Sequence, residues 1–278
     1  MSIPNHMIDQ WIAEDVPYFD LTTYLLGIGT QKGRISYFCR HPVTLSCMED
    51  AAHILERMHI HVTTCHPSGT QADAEEIFLS GEGAVSDLHA AWKVTQNLLE
   101  YACGISTRAR KLVDAVHAVN PDVAVLSTRK QFPGTKQVAV HAVLAGGALP
   151  HRLGLGETIL IFDRHIDFIG GFDQLAELLP GIRRSACDKS IGVEVDTLEH
   201  ALLLVRAGVD MLQFDKVEPG RLSEMVKAVR AENRHVRLIA AGGVNLDNAA
   251  AYAAAGVDAI STTWMYFGKP ADMSAKME

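Results

Sequence analysis

Beyond about residue 120 the chain keeps one short period: a run of apolar and β-branched residues, then an Ala/Leu-rich helical window. VAVLST (123–128), TILIF (158–162), IGVEV (191–195), DMLQF (210–214), RLIAAG (237–242) and DAIST (258–262) are the strand candidates. LEHALLLVRAG, EPGRLSEMVKAVRAEN and NLDNAAAYAAAG fill the later gaps. Runs so continuously apolar are what strands become when helices cover both faces of a parallel sheet. Repeated βα units leave two architectures, a β/α barrel or a doubly wound sheet. The strand endings separate them. Arg129-Lys130, Asp163, Glu194, Asp215, Gly242-Gly243 and Ser261-Thr262-Thr263 close successive runs. A barrel gathers its site from the C-terminal ends of many strands, whereas a doubly wound sheet uses only those beside its switch point. The expectation is an α/β fold containing an open, incomplete barrel.

The first 115 residues have a different grain. Short strand-like pieces, ISYFCR and HIHVTTC, alternate with helix-like stretches at 48–59 and 84–115. The second stretch carries Leu88, Trp92, Thr95, Leu98, Leu99 and Ala102 at near-helical spacing, so it reads as a long helix joining two domains. Length permits this, since 278 residues make one large domain or two ordinary ones, and 48% hydrophobic residues supply a core.

Charge and cysteine usage exclude several classes. There are 25 Lys+Arg against 33 Asp+Glu, a net −8, with no basic run longer than a pair, which argues against nucleic acid as a partner. Five scattered cysteines without a CxxC pair fit reduced thiols better than a disulfide framework. The opening MSIPNHMIDQWIAED has no signal-peptide pattern, and no stretch reaches the length of a membrane span, so a cytoplasmic protein with no membrane partner is expected.

The candidate chemistry lies at the strand ends. In AAGGVNLDN the glycine pair sits between strand and helix, where it bares N–H groups to an anion, and Ser261, Thr262 and Thr263 end the next strand. Together they suggest a phosphate cup; the alternative is a tight βα turn that uses glycine for geometry alone. Glu194 lies inside an apolar strand and Asp215 closes the next, so both can face one rim pocket and hold a hard cation such as Mg²⁺. A structural ion pair or a helix cap is the competing reading for each acid. Arg129, Lys130, Lys136, His151 and Arg152 gather positive charge at one end of an acidic protein, which points to a polyanionic ligand. The group His59, His61, Cys65 and His66 has metal-ligand types but no zinc spacing, and a polar edge strand explains it equally well. Gly27-Ile28-Gly29 and Gly154-Leu155-Gly156 are incomplete dinucleotide fingerprints that read as turns.

Taken in order, the motifs resemble one family, the quinolinate phosphoribosyltransferases (carboxylating nicotinate-nucleotide pyrophosphorylases). EDVPYFDLTT is similar to its acidic opening and NLLEYACGIST to its boundary helix. STRKQFPGTK, GGALPHRLGL and LIFDRHI are similar to its central block, and VEVDTLEHA, MLQFDK, AAGGV and GVDAIST follow in family order. The resemblance implies an N-terminal α/β sandwich domain over 1–105, boundary helix included. An incomplete TIM-like barrel would occupy 106–278, its C-terminal tail packing back on the first domain. It also implies a homodimer with shared sites, Mg²⁺, and transfer of phosphoribosyl from phosphoribosyl pyrophosphate (PRPP) to a pyridine carboxylate. By resemblance, Arg129, His151 and Arg152 bind the acid and Lys130 lies beside the reacting centre. Glu194 and Asp215 hold ribose and Mg²⁺, and Gly242, Gly243 and Ser261 lie near the 5′-phosphate.

The departures carry information of their own. The family's Lys-Asp-Asn-His reads Phe162-Asp163-Arg164-His165, its Asn-His-Arg reads Pro150-His151-Arg152, and its Glu-Arg pair reads Trp92-Lys93. Its Glu-Ala-Ser-Gly-Gly reads Ile239-Ala240-Ala241-Gly242-Gly243. Phe162 and Lys93 thin the charge that would meet a dicarboxylate, a pattern similar to the ModD branch associated with molybdenum-transport operons. The expected acceptor is a less anionic heteroaromatic carboxylate. An ordinary quinolinate enzyme of NAD biosynthesis, and a silent barrel that binds a phosphoribosyl or oxyanion ligand as a sensor, are the alternatives.

Overall fold

The computed structural model describes residues 2–278. The chain begins with helices α1 (Asn5–Asp15) and α2 (Leu21–Leu26), followed by β1 (Lys32–Cys39), β2 (Val43–Thr44) and α3 (Met48–Arg57). β3 (His61–Cys65), β4 (Gln71–Ala72) and β5 (Ile77–Ala84) lead directly into the long α4 (Val85–His117). There follow β6 (Ala124–Ser127), α5 (Lys136–Ala145), β7 (Leu149–Pro150), β8 (Ile159–Ile161), α6 (Asp163–Ile169) and α7 (Phe172–Ser185). The last elements are β9 (Ile191–Val195), α8 (Leu198–Arg206), β10 (Met211–Asp215), α9 (Pro219–Glu232), β11 (Arg237–Ala241), α10 (Ala249–Ala254), β12 (Ala259–Thr262) and β13 (Met273–Met277). None of these helices is long and apolar enough to cross a membrane.

The chain forms two compact units. The first comprises Met1–Arg110, Gln131–Gly147 and Met265–Glu278. Its antiparallel sheet runs β13-β1-β5-β3, with the C-terminal strand closing one edge from Ile35 opposite Met277 to Cys39 opposite Met273. Alternation sends Ile35, Tyr37 and Cys39 to one face, where Met48, Ala51 and Leu55 of α3 and Leu88, Ala91, Leu99 and Cys103 of α4 pack in one core cluster. A second cluster joins Ile8 of α1, Ile54 of α3, Val94, Leu98 and Ala102 of α4, and Val138 and Ala142 of α5. α2 starts because the Asp20 carboxylate accepts the Thr22 N–H at 3.0 Å, and it stops at Gly27, whose φ of 65° suits glycine.

The second unit comprises Lys111–Lys130 and Ala148–Trp264. Its seven strands are all parallel, in the order β7-β6-β12-β11-β10-β9-β8, and the two end strands are not paired to each other. The barrel is therefore open, an architecture the strand-end argument anticipated. The register assigns the faces. Glu194 lies opposite Gln213, Gln213 opposite Ile239, Ile239 opposite Ala259, and Ala259 opposite Ala124. These residues share the barrel interior, where Met211, Ile239 and Ala259 cluster with Ala124, Leu126 and Leu160. The alternate residues Val193, Leu212, Phe214, Leu238, Ala240 and Ile260 are buried on the other side of the sheet.

Candidate active site at the barrel rim

Strand parity brings the two acids together. Asp215 stands two residues beyond Gln213, the register partner of Glu194, so Asp215 and Glu194 occupy the same face of adjoining strands. Glu194 Oε2 accepts from Gln213 Nε2 at 2.7 Å, a contact that fixes the carboxylate sideways across the strands. Burial holds the Glu194 carboxyl above the ordinary carboxylate range, and the Asp215 charge adds to this; Asp163 at the start of α6 contributes in the same direction. Lys216 Nζ lies 3.4 Å from Asp215 Oδ2 but is largely exposed, so it offsets only part of that charge. A half-buried pair of carboxylates with surplus negative charge and oxygen donors fits a hard divalent cation.

The glycine loop is built against this pair. Gly242 and Gly243 have φ of 80° and 77°, so two successive residues take the left-handed conformation. A Cβ on Gly242 would lie 2.6 Å from Lys216 Cγ and 2.8 Å from Lys216 N, and closer still to Asp215 Oδ1, whereas a Cβ on Gly243 would meet open space. Asn248 Nδ2 donates to the Gly243 carbonyl at 3.1 Å and Asn245 Nδ2 does so at 3.4 Å. Asn245 and Asn248 also accept each other's backbone N–H, at 2.8 and 3.3 Å. Sequence reasoning passed over both asparagines, although the spacing Asn-x-x-Asn beside Gly-Gly is an Asx-turn signature.

The hydroxyls at the end of β12 divide by parity. Ser261 lies opposite Ala241 on the interior side. Thr262 turns the other way: its buried Oγ1 donates to the Val244 carbonyl at 2.6 Å and accepts the Trp264 N–H at 3.0 Å. It braces the loop rather than presenting a donor to the interior. Thr263 follows the strand and is half-buried.

Of the cationic residues, Arg129 and Lys130 follow β6 and His151 and Arg152 follow β7, whereas Lys136 begins α5 in the first unit. Arg129 and Lys130 extend exposed from the end of β6, and the Lys130 N–H donates to Thr128 Oγ1 at 3.3 Å. Arg129, Arg152 and Lys189, with Thr158 and His165, line a cleft of about 640 Å³ whose remaining wall is largely apolar and includes Phe162. Arg152 NH1 donates to the Thr158 carbonyl at 3.4 Å, and its guanidinium stands 6.0 Å from the Phe162 ring centre. Burial, with help from the nearby Arg129 charge, lowers the pKa of Arg152. His151 is pushed below the ordinary histidine value by burial and then by Arg152, both of which favour the uncharged ring. His151 Nε2 and Ser127 Oγ are buried without a hydrogen-bond partner, a costly condition that a polar ligand would relieve. Phe162 stacks on His165 at 5.8 Å, and the His165 Nδ1 accepts the Phe162 N–H at 3.0 Å, so the ring is held at the start of α6.

Two remaining groups belong to the first unit. Lys93 lies on α4 in the first unit, its Nζ 4.5 Å from the Trp92 ring and 3.4 Å from Gln96 Oε1. His61 and Cys65 lie on the alternately exposed strand β3. His66 Nδ1 lies 3.4 Å from Glu76. The histidine-rich run is thus a polar strand and its flank.

The family model for the quinolinate phosphoribosyl transferase N-terminal domain matches residues 20–103, and that for the C-terminal domain matches residues 105–276. "Putative pyrophosphorylase ModD" of Rhodobacter capsulatus is 39% identical over 240 residues, 86% of this chain and 92% of that protein. The protein of the same name from Escherichia coli O6:H1 is 34% identical over 98% of this chain and 95% of its own. The human nicotinate-nucleotide pyrophosphorylase [carboxylating] is 26% identical over 98% and 90% of the two chains. Among solved structures, the nicotinate-nucleotide pyrophosphorylase of Francisella tularensis superposes with a TM-score of 0.90 at 24% identity, covering 99% of this chain and 98% of that one. The open barrel, the paired acids and the family models matched across both halves make this chain a member of the quinolinate phosphoribosyltransferase family, an enzyme of the pentosyltransferase class.

Proposed function

We propose that the protein transfers phosphoribosyl from PRPP to the ring nitrogen of a heteroaromatic carboxylate, as a ModD-type pyrophosphorylase. The observation that carries this reading is the joint placement of Glu194, Asp215 and the Gly242-Gly243 loop on adjoining interior strand ends, with the arginine-lined cleft on the same sheet. In the reaction the bond from ribose C1 to the pyrophosphate oxygen breaks with its electron pair leaving on pyrophosphate, and the ring-nitrogen lone pair forms the new C1–N bond. Mg²⁺, when bound, neutralises charge growing on the leaving group. Glu194 and Asp215 would hold that ion with the ribose, and their negative field favours a C1 centre of oxocarbenium character. Gly242 and Gly243 bring backbone N–H groups to the 5′-phosphate without side-chain bulk, with Ser261 adding a hydroxyl from the next strand. In this reading Lys130, exposed just after β6, serves as the cation beside the reacting centre.

At the acceptor, Arg129 and Arg152 bind one carboxylate and His151 donates or accepts at its unpartnered Nε2. Phe162 offers that cleft an apolar ring, and its remaining cation, Lys189, is already paired with Asp188 at 2.8 Å, so the reading favours an acid with one carboxylate. A homodimer with shared sites belongs to the same proposal. Its support is the run of large apolar residues around α2, with Tyr18 90%, Tyr24 70% and Leu25 72% exposed. The test is pyrophosphate release from PRPP and Mg²⁺ across a panel of heteroaromatic mono- and dicarboxylates. Turnover of a monocarboxylate ahead of quinolinate is the expected result. Preference for quinolinate supports the ordinary NAD-pathway enzyme, and PRPP binding without release under any acid supports the sensor.

A further inference from the structure

Away from the rim, α3 and α5 bring three unlike ligand types together inside the first unit. Cys47 precedes α3 with φ 55° and ψ 29°, a left-handed conformation that residues bearing a Cβ adopt only under constraint. Asp50, one turn on, is 5% exposed. Its Oδ1 accepts the Ile3 N–H at 2.8 Å, and its Oδ2 stands 3.3 Å from Nδ1 of His141 on α5. The Sγ of Cys47, a carboxylate oxygen of Asp50 and a ring nitrogen of His141 all lie within 4.8 Å of one another. Among the described residues no other three His, Cys, Asp or Glu side chains converge in this way. The surroundings are apolar, with Ile3, Ile8, Ile54, Val138 and Ala142 in the same cluster as Cys47.

We propose that Cys47, Asp50 and His141 form a binding site for one Zn²⁺ ion. Tetrahedral zinc with oxygen and nitrogen ligands at 2.0–2.2 Å sets them about 3.3–3.6 Å apart. The Asp50 to His141 separation of 3.3 Å is already such an edge, and Sγ has to close by roughly 1 Å at most. Thiolate, imidazole and carboxylate together are a borderline-soft set suited to Zn²⁺, whereas Mg²⁺ and Ca²⁺ take oxygen alone. On ligation Cys47 releases one thiol proton to solvent, and the Ile3 N–H keeps Asp50 oriented as an outer-shell partner. Three protein ligands leave a fourth position for water. Cys47 is 1% exposed, so the group is closed to a substrate and does not read as a nucleophile with its base. The bound ion would tie α5 to α3 and, through Ile3, to the N-terminal segment, links that span 91 and 47 residues of chain.

The test uses the full chain, stripped with a chelator and titrated with Zn²⁺ against a chromogenic competitor and, separately, with Co²⁺. One equivalent of each should bind, and Co²⁺ should give a thiolate-to-cobalt charge-transfer band. The rim carboxylates cannot produce that band, since they hold no sulfur. Cys47→Ala and His141→Ala should each weaken Zn²⁺ by roughly 100-fold or more, whereas Cys65→Ala and Cys187→Ala, at the exposed thiols, should leave it unchanged. If the buried-site variants do not fold, the wild-type cobalt spectrum decides. Absence of the band at one equivalent, or its persistence in Cys47→Ala, overturns the proposal.

Discussion

Gly242 separates two effects that usually arrive together. Gly242→Ala places a methyl group against Asp215 Oδ1 and the backbone nitrogen of Lys216, so the acid or its strand end has to recede by about 1 Å to restore ordinary contact. A displacement of that size at a reacting centre costs roughly 100-fold in rate, about 2.7 kcal/mol. The same substitution puts a non-glycine residue at φ 80°, which costs the fold about 1–2 kcal/mol. At roughly 2–4 °C per kcal/mol for a chain of this order of size, Tm falls by a few degrees. Gly243→Ala has the same backbone cost at φ 77° but meets nothing within 4 Å. The two variants should therefore share the backbone cost, with Gly242→Ala losing about 1–3 kcal/mol more to the clash, and they should differ in kinetics. Gly242→Ala lowers kcat about 100-fold; Gly243→Ala keeps kcat within a few-fold and raises KM for PRPP through the phosphate. Steady-state pyrophosphate release with calorimetric Tm reads both. Equal kcat in the two variants would show that Asp215 is not held in place by the loop, and the argument would fall.

The pH dependence of stability tests the raised pKa of Glu194. Just above the ordinary carboxylate pKa the folded state still binds this proton and the unfolded chain has lost it, so Glu194 makes stability fall as pH rises through that window. Glu194→Gln should unfold at a higher temperature than the native sequence at neutral pH, with the margin vanishing below the ordinary pKa, while kcat collapses; a margin independent of pH refutes the assignment. Phe162→Lys combined with Lys93→Arg should raise kcat/KM for quinolinate at least tenfold, about 1.4 kcal/mol. No gain in kcat/KM would show that neither position meets the second carboxylate.

The barrel was legible because its strands are buried on both faces and end in polar residues, and Ile191–Val195 coincides with its sequence run to the residue. β7 was not: two residues, Leu149 and Pro150, carry no periodicity, and only the pairing of Leu126 with Leu149 makes them a strand. The affiliation of α5 was equally hidden, since KQVAVHAVLA has the composition of any barrel helix yet belongs to the first unit. Within the rim, the side-chain period of two separates Ser261 from Thr262, and counting along DAIST is enough to see that they diverge. Which of them faces inward requires the register to Ala241. The nearness of Cys47 and Asp50 to His141 lay beyond local reasoning, because it depends on how two helices far apart in sequence pack.

An open parallel sheet keeps two margins whose backbone groups lack strand partners, and such margins template aggregation when they are long and flat. Here one margin is two residues and the other three. The shorter contains Pro150, which has no N–H to offer an incoming strand. The two ends of the sheet can thus remain unpaired in a crowded solution, because neither is long enough to recruit a foreign chain.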